Sequence, residues 1–487
     1  VSDRTHLDPA STALPACSGE PPLVIDLDGT LTPSDLLIEA LFRLAPLDMA
    51  RLPLWLLAGK AAFKARIAAA VELDFASLPL NDEMMALITA ERARGRRIYL
   101  ASASDRRVVQ AVADRLGLFD GVFASDGTTN LKSDAKARQL TAAFGPRGFD
   151  YAGNSKADLA VWQSARRAIV VNASGRIAAE ARLRCPDLTE MSPRQGAPSL
   201  YLRAMRGHQW LKNLLVFLPA LADHSLDGAT LAASALAFLA FCLCASSVYL
   251  LNDLVDLPSD RAHPGKKARP FASGQLPLAH GLVLIPALLA AAGLVALALP
   301  AEFTAVLGAY WGITLLYTMT LKRRLVVDVL TLAGLYTMRV IAGAAATGIL
   351  VSEWLLAFSM FLFLCLALIK RYSELVERLR SHKDRPAGRA YVTDDTPMVG
   401  ALAGASGFVS VLVLALYIAS PDVDRLYPHP QVLWAIGILL LYWVSRVLML
   451  AHRGEVHDDP VVFAVKDRVS LMIAALMGAI AILGSLP

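Results

Sequence analysis

The chain has 487 residues, of which 55% are hydrophobic and 18% charged, and its mean hydropathy is +0.48. That hydropathy excludes an ordinary soluble protein, and the charges, crowded into the first two hundred residues and a few later runs, exclude a chain that is membrane throughout. The net charge of +5 reads as cytoplasmic-loop Lys and Arg rather than a nucleic-acid footprint, and Cys17, Cys185, Cys242, Cys244 and Cys365 have neither metal-ligand spacing nor a disulfide framework.

Residues 1–20 are polar, carry no apolar signal-type core and read as a flexible tail, so the domain that follows is expected to stay in the cytoplasm. Residues 21–190 alternate short apolar strands with helical periodicity. The strands fall at Leu23-Val24-Ile25, Ile98-Tyr99-Leu100-Ala101, Val122-Phe123, Tyr151-Ala152 and Ala168-Ile169-Val170-Val171. Strands separated by helices predict βαβ units, a parallel sheet and a Rossmann-like α/β fold. Thr32 to Arg97 show helical periodicity and no strand, which predicts a small inserted helical cap. Its Leu52-Pro53-Leu54-Trp55-Leu56-Leu57 run either roofs a site or also touches a membrane. Residues 191–200, punctuated by Pro and Gly, read as a linker.

Residues 201–487 form the second domain, all-α, with nine apolar runs centred near residues 217, 240, 289, 311, 338, 361, 409, 440 and 478. If the front domain is inside, the loops 252–278, 321–326, 370–397 and 452–468 are cytoplasmic and together hold 17 Lys and Arg. The opposite loops hold one, Arg425. This asymmetry predicts nine transmembrane helices with the C-terminus outside, in the cytoplasmic (inner) membrane.

Two sets of motifs carry chemistry. In the front domain Asp26-Leu27-Asp28-Gly29-Thr30 follows directly on the first strand, at the sheet edge where ligands bind in open α/β folds. Asp26 and Asp28, one residue apart, point the same way, so one can attack a phosphorus while the other handles the leaving-group proton. Two carboxylates beside a phosphate call for Mg²⁺ and a cation. Ser102 ends the second strand with Ser104 as its rival, Lys136 opens a helix with Lys132 as its rival, and Gly153-Asn154-Ser155-Lys156-Ala157-Asp158 ends a later strand. This ordered set resembles the haloacid dehalogenase superfamily of phosphohydrolases. The resemblance implies Asp26 as nucleophile, Asp28 as general acid/base, Ser102 and Lys136 as phosphate ligands, and Mg²⁺ held by Asp26, Asp28 and Asp158. Asn154 stands where many members carry Asp as a further metal ligand.

In the membrane domain the second spanning helix runs into Asn252-Asp253-Leu254-Val255-Asp256-Leu257-Pro258-Ser259-Asp260-Arg261. On a continuous helix Asp253, Asp256 and Asp260 share one face with Asn252 on its shoulder, which suits Mg²⁺ bridging a diphosphate. Lys266, Lys267 and Arg269, with Arg261 before them, suit its outer oxygens. The stretch resembles the first aspartate-rich motif and following Arg-Pro-x-x-x-Gly segment of the UbiA-type intramembrane prenyltransferases, whose fold has nine helices. His208-Gln209-Trp210-Leu211-Lys212-Asn213 and Asp459-Pro460-Val461-Val462-Phe463-Ala464 resemble the branch that makes polyprenyl-phosphate phosphoribose. In the second half Lys322-Arg323-Arg324 leads to the single Asp328, with Leu332 four residues later, a set suited to a substrate rich in phosphate. Arg339 is an intramembrane charge and by default functional. Lys370-Arg371 is explained equally well by snorkelling to the interface.

These readings imply a bifunctional membrane enzyme. Its membrane domain transfers 5-phosphoribose from phosphoribosyl pyrophosphate to a polyprenyl phosphate such as decaprenyl phosphate, releasing pyrophosphate. Its front domain removes the 5-phosphate to leave polyprenyl-phosphoryl-ribose, a donor for cell-envelope glycans. Mg²⁺ is the cofactor, the membrane and the two substrates are the partners, and the oligomeric state stays open. Two other readings stand beside this one: prenylation of an aromatic acceptor by the membrane domain, and a front domain that senses phosphosugars without turnover.

Overall fold

The computed structural model describes residues 19–191, 198–380, 390–421, 423, 426–456 and 459–486. Most of the expected tail with Cys17, the middle of the expected linker (192–197), residues 381–389 of the third loop expected to be cytoplasmic, and Arg425 lie outside the described residues. The chain divides into two compact units: residues up to Ala204 with Leu251–Val283, and Met205–Leu250 with Leu284–Pro487. The loop that carries the aspartate-rich motif therefore clusters with the front domain, across the sequence boundary expected near residue 200.

The first unit is built on β1 (Leu23–Asp26), followed by the cap helices α1 (Leu36–Leu41), α2 (Pro46–Leu57) and α3 (Lys60–Ala70), and by α4 (Asp82–Ala93), which packs Met84 and Ile88 on the sheet rather than in the expected cap. Then come β2 (Ile98–Asp105), α5 (Arg106–Leu116), β3 (Gly121–Ser125), α6 (Asp134–Phe144), β4 (Asp150–Gly153), α7 (Leu159–Ser164), β5 (Ala168–Val171), α8 (Gly175–Arg184), β6 (Leu188–Met191) and α9 (Pro198–Ala204). All six strands are parallel, in the order β3-β2-β1-β4-β5-β6. Alternation explains the two-sided core. Val24, Tyr99, Ala101, Tyr151 and Val170 point into one hydrophobic cluster, and Leu23, Ile25, Leu100, Ala152 and Ile169 into the other. β1 sits where the strand order reverses, so the crevice beyond its C-terminal end is the expected ligand site. The five expected strands are present. The sixth, β6, was missed, and Met191, read as the start of the linker, is its last residue.

The same unit holds the end of α11 (Gly228–Val255; α10 being Leu218–Ala222), then α12 (Leu257–Ala262) and the start of α13 (Leu278–Ala296). Here the structure corrects the expected continuous helix face. α11 ends at Val255, and Asp256 is the N-cap of a new helix. Pro258 is the cause, because it has no N–H to offer the Leu254 carbonyl and its ring crowds that turn.

The second unit is helical. An eleven-residue 3₁₀ stretch, Gly207–Phe217, leads into α10. After α11 and α13 come α14 (Ala301–Met319), α15 (Val327–Thr347), α16 (Glu353–Arg380), α17 (Thr396–Ile418), α18 (Trp434–His452), α19 (Pro460–Lys466) and α20 (Arg468–Ser485). Among the described residues seven helices are long and apolar enough to cross a membrane: α11, α13, α15, α16, α17, α18 and α20, with short extensions of α17 and α18. The two other expected runs have weaker signatures. The first is the 3₁₀ stretch plus the five-residue α10, and α14 is diluted by Glu302, Thr304, Thr314, Thr318, Tyr310 and Tyr317.

Candidate functional site

The crevice at the end of β1 is lined by a connected set of polar side chains. Asp26 is buried, and Lys136 Nζ from the first turn of α6 lies 2.8 Å from its Oδ1. Lys136 also donates to the Tyr151 hydroxyl at 2.9 Å, and that hydroxyl donates to Asp158 Oδ1 at 2.8 Å. Asp158 Oδ2 accepts from the Asn154 and Ser155 backbone N–H groups and from Ser155 Oγ, the last at 2.8 Å. Burial pushes the Asp26 carboxyl up to about 7 against the pull of Lys136. Burial works against the Lys136 ammonium too, but Asp26 and Asp158 overcome it and hold the ammonium charged. Lys132, the rival for this role, is exposed.

Asp28 is oriented from three sides. Its Oδ2 accepts from Ser104 Oγ at 2.8 Å and Ser102 Oγ at 3.2 Å, and its Oδ1 accepts from the Leu36 N–H at 2.9 Å. Both serines are thus brought to the site, with Ser104 the nearer to Asp28. Gly29 has a φ of +81°, and a Cβ there would overlap the Asn154 side chain, so the Asp-Gly turn and the fourth motif lie in direct contact. The sequence did not reveal Lys64, which reaches in from α3 of the cap to the Ala103 carbonyl at 2.6 Å and Asn130 Oδ1 at 3.0 Å. A lone lysine in a helical cap carries no motif to mark it.

In the loop of the aspartate-rich motif Asp253 and Asp260 are buried and converge on one guanidinium, with Arg269 Nη1 at 3.1 and 2.6 Å. Burial holds the Asp260 carboxyl above its ordinary value against Arg269. Asp256 and Asn252 are half-buried, and Lys266 and Lys267 are exposed. Arg261, expected to face a diphosphate, is instead buried on Glu39, with Nη2 2.6 Å from Oε1, and it also bonds Ser34 and the Ala272 carbonyl. Its side chain is spent inside the protein, which removes it from the expected phosphate ligands.

The second unit has its own polar centre. Asp459 Oδ2 takes Lys212 Nζ at 2.6 Å and Lys370 Nζ at 3.1 Å, and Tyr336 donates to Oδ1 at 3.0 Å. Burial pushes the Asp459 carboxyl up, but Lys370 and Lys212 overcome this and hold it well below the carboxylate range. Arg339 is buried and bonds three neutral groups: Asn213 Oδ1, the Leu335 carbonyl and the Tyr310 hydroxyl. Three basic side chains thus accompany one carboxylate. Asp328 and Arg371 depart from expectation. Asp328 is fully buried, 2.6 Å from Arg371 Nε, and takes the Tyr317 hydroxyl at 2.7 Å. Asp328 therefore serves an internal ion pair rather than a substrate, and Arg371 does not snorkel. Lys322 is buried, while Arg323 and Arg324 beside it are exposed. Between α14, α15 and α16 runs an apolar groove of about 1050 Å³, lined by residues including Leu316, Leu330, Met338, Phe361 and Leu364.

Among the described residues no three or more His, Cys, Asp or Glu side chains are grouped to hold a metal ion on their own. The full carboxylate sets expected from the sequence are therefore not preassembled. Pairs are: Asp253 with Asp260, offset by a single arginine, and Asp26 beside Asp28. Two carboxylates with a substrate phosphate are the usual Mg²⁺ arrangement, so the residues present fit the ion.

A phosphohydrolase-type crevice on a parallel sheet, joined to a bundle of membrane helices with buried acid–base clusters, defines a multi-pass membrane enzyme with an appended α/β domain. Residues 214–389 match the UbiA prenyltransferase family and residues 23–163 the haloacid dehalogenase-like hydrolases. An uncharacterized protein, y4nM of Sinorhizobium fredii, is 36% identical over 465 residues, covering 94% of this chain and 90% of that protein. The decaprenyl-phosphate phosphoribosyltransferase of Mycolicibacterium smegmatis is 34% identical over 317 residues, covering 60% of this chain and 98% of that one. A solved UbiA homolog from Archaeoglobus fulgidus bound to DMAPP and Mg²⁺ overlays with a TM-score of 0.46 at 18% identity, over 58% of this chain and 98% of that one. The chain belongs to the UbiA prenyltransferase family and carries a haloacid dehalogenase-like domain at its N-terminal end.

Proposed function

We propose that the membrane part transfers 5-phosphoribose from phosphoribosyl pyrophosphate to a polyprenyl phosphate, and that the front domain hydrolyses the 5-phosphate of that product. One observation carries the reading. A single chain holds an acid–arginine cluster suited to a diphosphate and, separately, an assembled Asp26–Lys136 and Asp28 crevice suited to the phosphomonoester that the first product would carry. The 34% identity to a decaprenyl-phosphate phosphoribosyltransferase supports the first step.

In that step an oxygen of the lipid phosphate attacks ribose C1, the C1–O bond to pyrophosphate breaks, and positive charge develops at C1. Asp253 and Asp260, with Asp256 at their side, would hold Mg²⁺, which neutralises the leaving diphosphate when bound. Arg269 orients both carboxylates, and Lys266 and Lys267 lie on the same loop for outer phosphate oxygens. Lys212, Lys370 and Arg339, beside the single Asp459, give the second unit a set of basic side chains for an anionic substrate. The polyprenyl chain fits the groove between α14 and α16, whose Leu321 runs into the exposed Arg323 and Arg324. No general base is needed, because the attacking phosphate is already an anion.

In the second step Asp26 attacks phosphorus while Asp28 protonates the departing sugar oxygen; Asp28 then takes a proton from the water that cleaves the acyl phosphate. Lys136 neutralises the nucleophile and an equatorial phosphate oxygen, Ser102 and Ser104 fix the Asp28 carboxyl, and Asp158 positions Lys136 through Tyr151. Asn154 lies against Gly29, and Asp26 and Asp28 would hold a Mg²⁺ that offsets the phosphate charge there when bound.

We further read residues 21–190 and 201–487 as the two functional domains. The Gly207–Ala222 segment and α14 complete nine spans in the cytoplasmic membrane, with the front domain inside and the C-terminus outside. The test is transfer of ribose-labelled phosphoribosyl pyrophosphate into the lipid fraction by purified protein, with Asp253→Asn as control. Label in lipid for wild type and its loss in the variant support the reading. Transfer of a prenyl group from a prenyl diphosphate to an aromatic acceptor, with no ribose in the lipid, overturns it.

A further inference from the structure

The cap has an apolar face that the described chain does not cover. Helix α2 turns Leu52 and Trp55 inward, onto Ala40, Leu44 and Ile67. On its other side Leu47, Leu54 and Leu57 are 76%, 66% and 84% exposed. At i, i+7 and i+10 these three fall on one stripe, with Leu56 on its shoulder and also exposed. A contiguous stripe of long apolar side chains in water is unusual for a soluble domain and marks a surface that meets something apolar.

The same unit fixes what lies nearby. Glu39 of α1, the helix packed beside α2 and α3 in the cap core, makes the buried ion pair with Arg261. Gly274, with φ at +74°, sits so close to Pro33 that a Cβ would overlap the proline ring. Arg261 follows the end of the spanning helix α11 at Val255 by six residues, and Gly274 precedes the start of α13 at Leu278 by four. The cap is thereby clamped to the short loop that joins α11 to α13, two of the helices long and apolar enough to cross a membrane. Basic groups flank the stripe: Arg51 on α2, which also pairs with Asp48, and Lys60 and Arg66 on α3 are all exposed.

We propose that α2 is an interfacial membrane helix: Leu47, Leu54 and Leu57 lie among the headgroups of the bilayer that α11 and α13 cross, with Arg51, Lys60 and Arg66 on lipid phosphates. An apolar stripe with basic residues at its rim is the chemistry of helices that lie in the bilayer interface. The occupant is the lipid surface, because the clamp ties the cap to the loop joining two helices of membrane-spanning length. α3 of the same cap places Lys64 next to the Asp28 side of the crevice. On the function proposed above, the helix therefore gives a lipid-linked phosphomonoester a route to Asp26 without leaving the bilayer, although the membrane contact itself does not depend on that function.

The test uses the full chain in nanodiscs containing anionic lipid. The four described cysteines are buried, so a chain with Cys17→Ser accepts an environment-sensitive fluorophore at Leu54→Cys or, separately, at Leu57→Cys. Leu183→Cys on α8, a position 87% exposed, serves as the aqueous reference. The expected result is blue-shifted emission at 54 and 57, quenched by a lipid-borne quencher and spared by a water-soluble one, with the reverse at 183. Emission at 54 and 57 matching that at 183 overturns the proposal. So does shielding from both quenchers that deepens as the number of chains per disc is raised, which assigns the stripe to a second copy. Because the readout is position in the bilayer, it stands or falls apart from phosphatase activity.

Discussion

Asp328 separates a structural role from a substrate-binding one. Its carboxylate is fully buried, 2.6 Å from Arg371 Nε, with Tyr317 as a further donor, and Arg371 is almost as buried and also pairs with Glu374. Replacing Asp328 by Leu leaves a buried guanidinium with only Glu374 to offset it. Removing one partner of a buried pair costs roughly 3–5 kcal/mol, and the surviving Glu374 contact puts this case at the lower end, about 3 kcal/mol. Removing both charges is different, because apolar residues of similar volume replace a buried pair at little cost. Asp328→Leu with Arg371→Met is therefore expected to recover most of the lost stability, as read by thermal unfolding of the full chain in detergent. The single variant, stabilised by lipid, is expected to keep its affinity for phosphoribosyl pyrophosphate within a few-fold. Unchanged stability in Asp328→Leu together with loss of that affinity would refute the structural assignment and restore Asp328 as a substrate ligand.

Three further outcomes follow from other contacts. Lys136→Met removes the cation on Asp26 and is expected to lower phosphomonoester hydrolysis by about 10²–10³-fold, as for other groups aimed at developing charge, while leaving transfer to lipid intact; parallel assays of the two activities check it. Arg269→Ala strips the shared partner from Asp253 and Asp260 and is expected to lower transfer by a comparable factor while sparing hydrolysis of a soluble phosphomonoester. Burial pushes the Asp150 carboxyl up, but Arg166 and Arg96 overcome this and hold it below its ordinary value. With the folded value below the unfolded one, that stabilisation is complete above the ordinary carboxylate range and is lost as pH falls through the folded value. Arg96→Met should therefore cost about 1.5–3 kcal/mol at pH 7 and progressively less in acid, as read by melting curves across that range.

The front site was legible because its signals are local. A buried run ending in Asp26-Leu27-Asp28-Gly29 states both the strand and the turn, and Lys136 and Asp158 each sit at a helix start that the pattern of strands already predicts. β6 was missed because Thr189 and Glu190 are exposed on an edge strand of only four residues, with no apolar run to mark it. The kink at Asp256 was written in Pro258, but three carboxylates at helical spacing pointed to one helix face instead. What the sequence could not state is who pairs with whom. Lys212 meets Asp459 across 247 positions, Arg261 meets Glu39 across 222, and Arg371 meets Asp328 across 43. A lysine or arginine near a bilayer reads as a snorkelling side chain or a substrate ligand until its partner is seen, and that partner turned Arg261, Asp328 and Arg371 into internal ion pairs.

The central claim, that one chain makes and then dephosphorylates a ribose lipid, is tested most directly by mass spectrometry of the lipid product. The purified chain is incubated with phosphoribosyl pyrophosphate, Mg²⁺ and a polyprenyl phosphate, for wild type and for Asp26→Asn. The expected products are polyprenyl-phosphoryl-ribose from wild type and polyprenyl-phosphoryl-5-phosphoribose from the variant. The 5-phosphorylated lipid from both would contradict the phosphatase step, and no ribosylated lipid from either would contradict the transfer on which it depends.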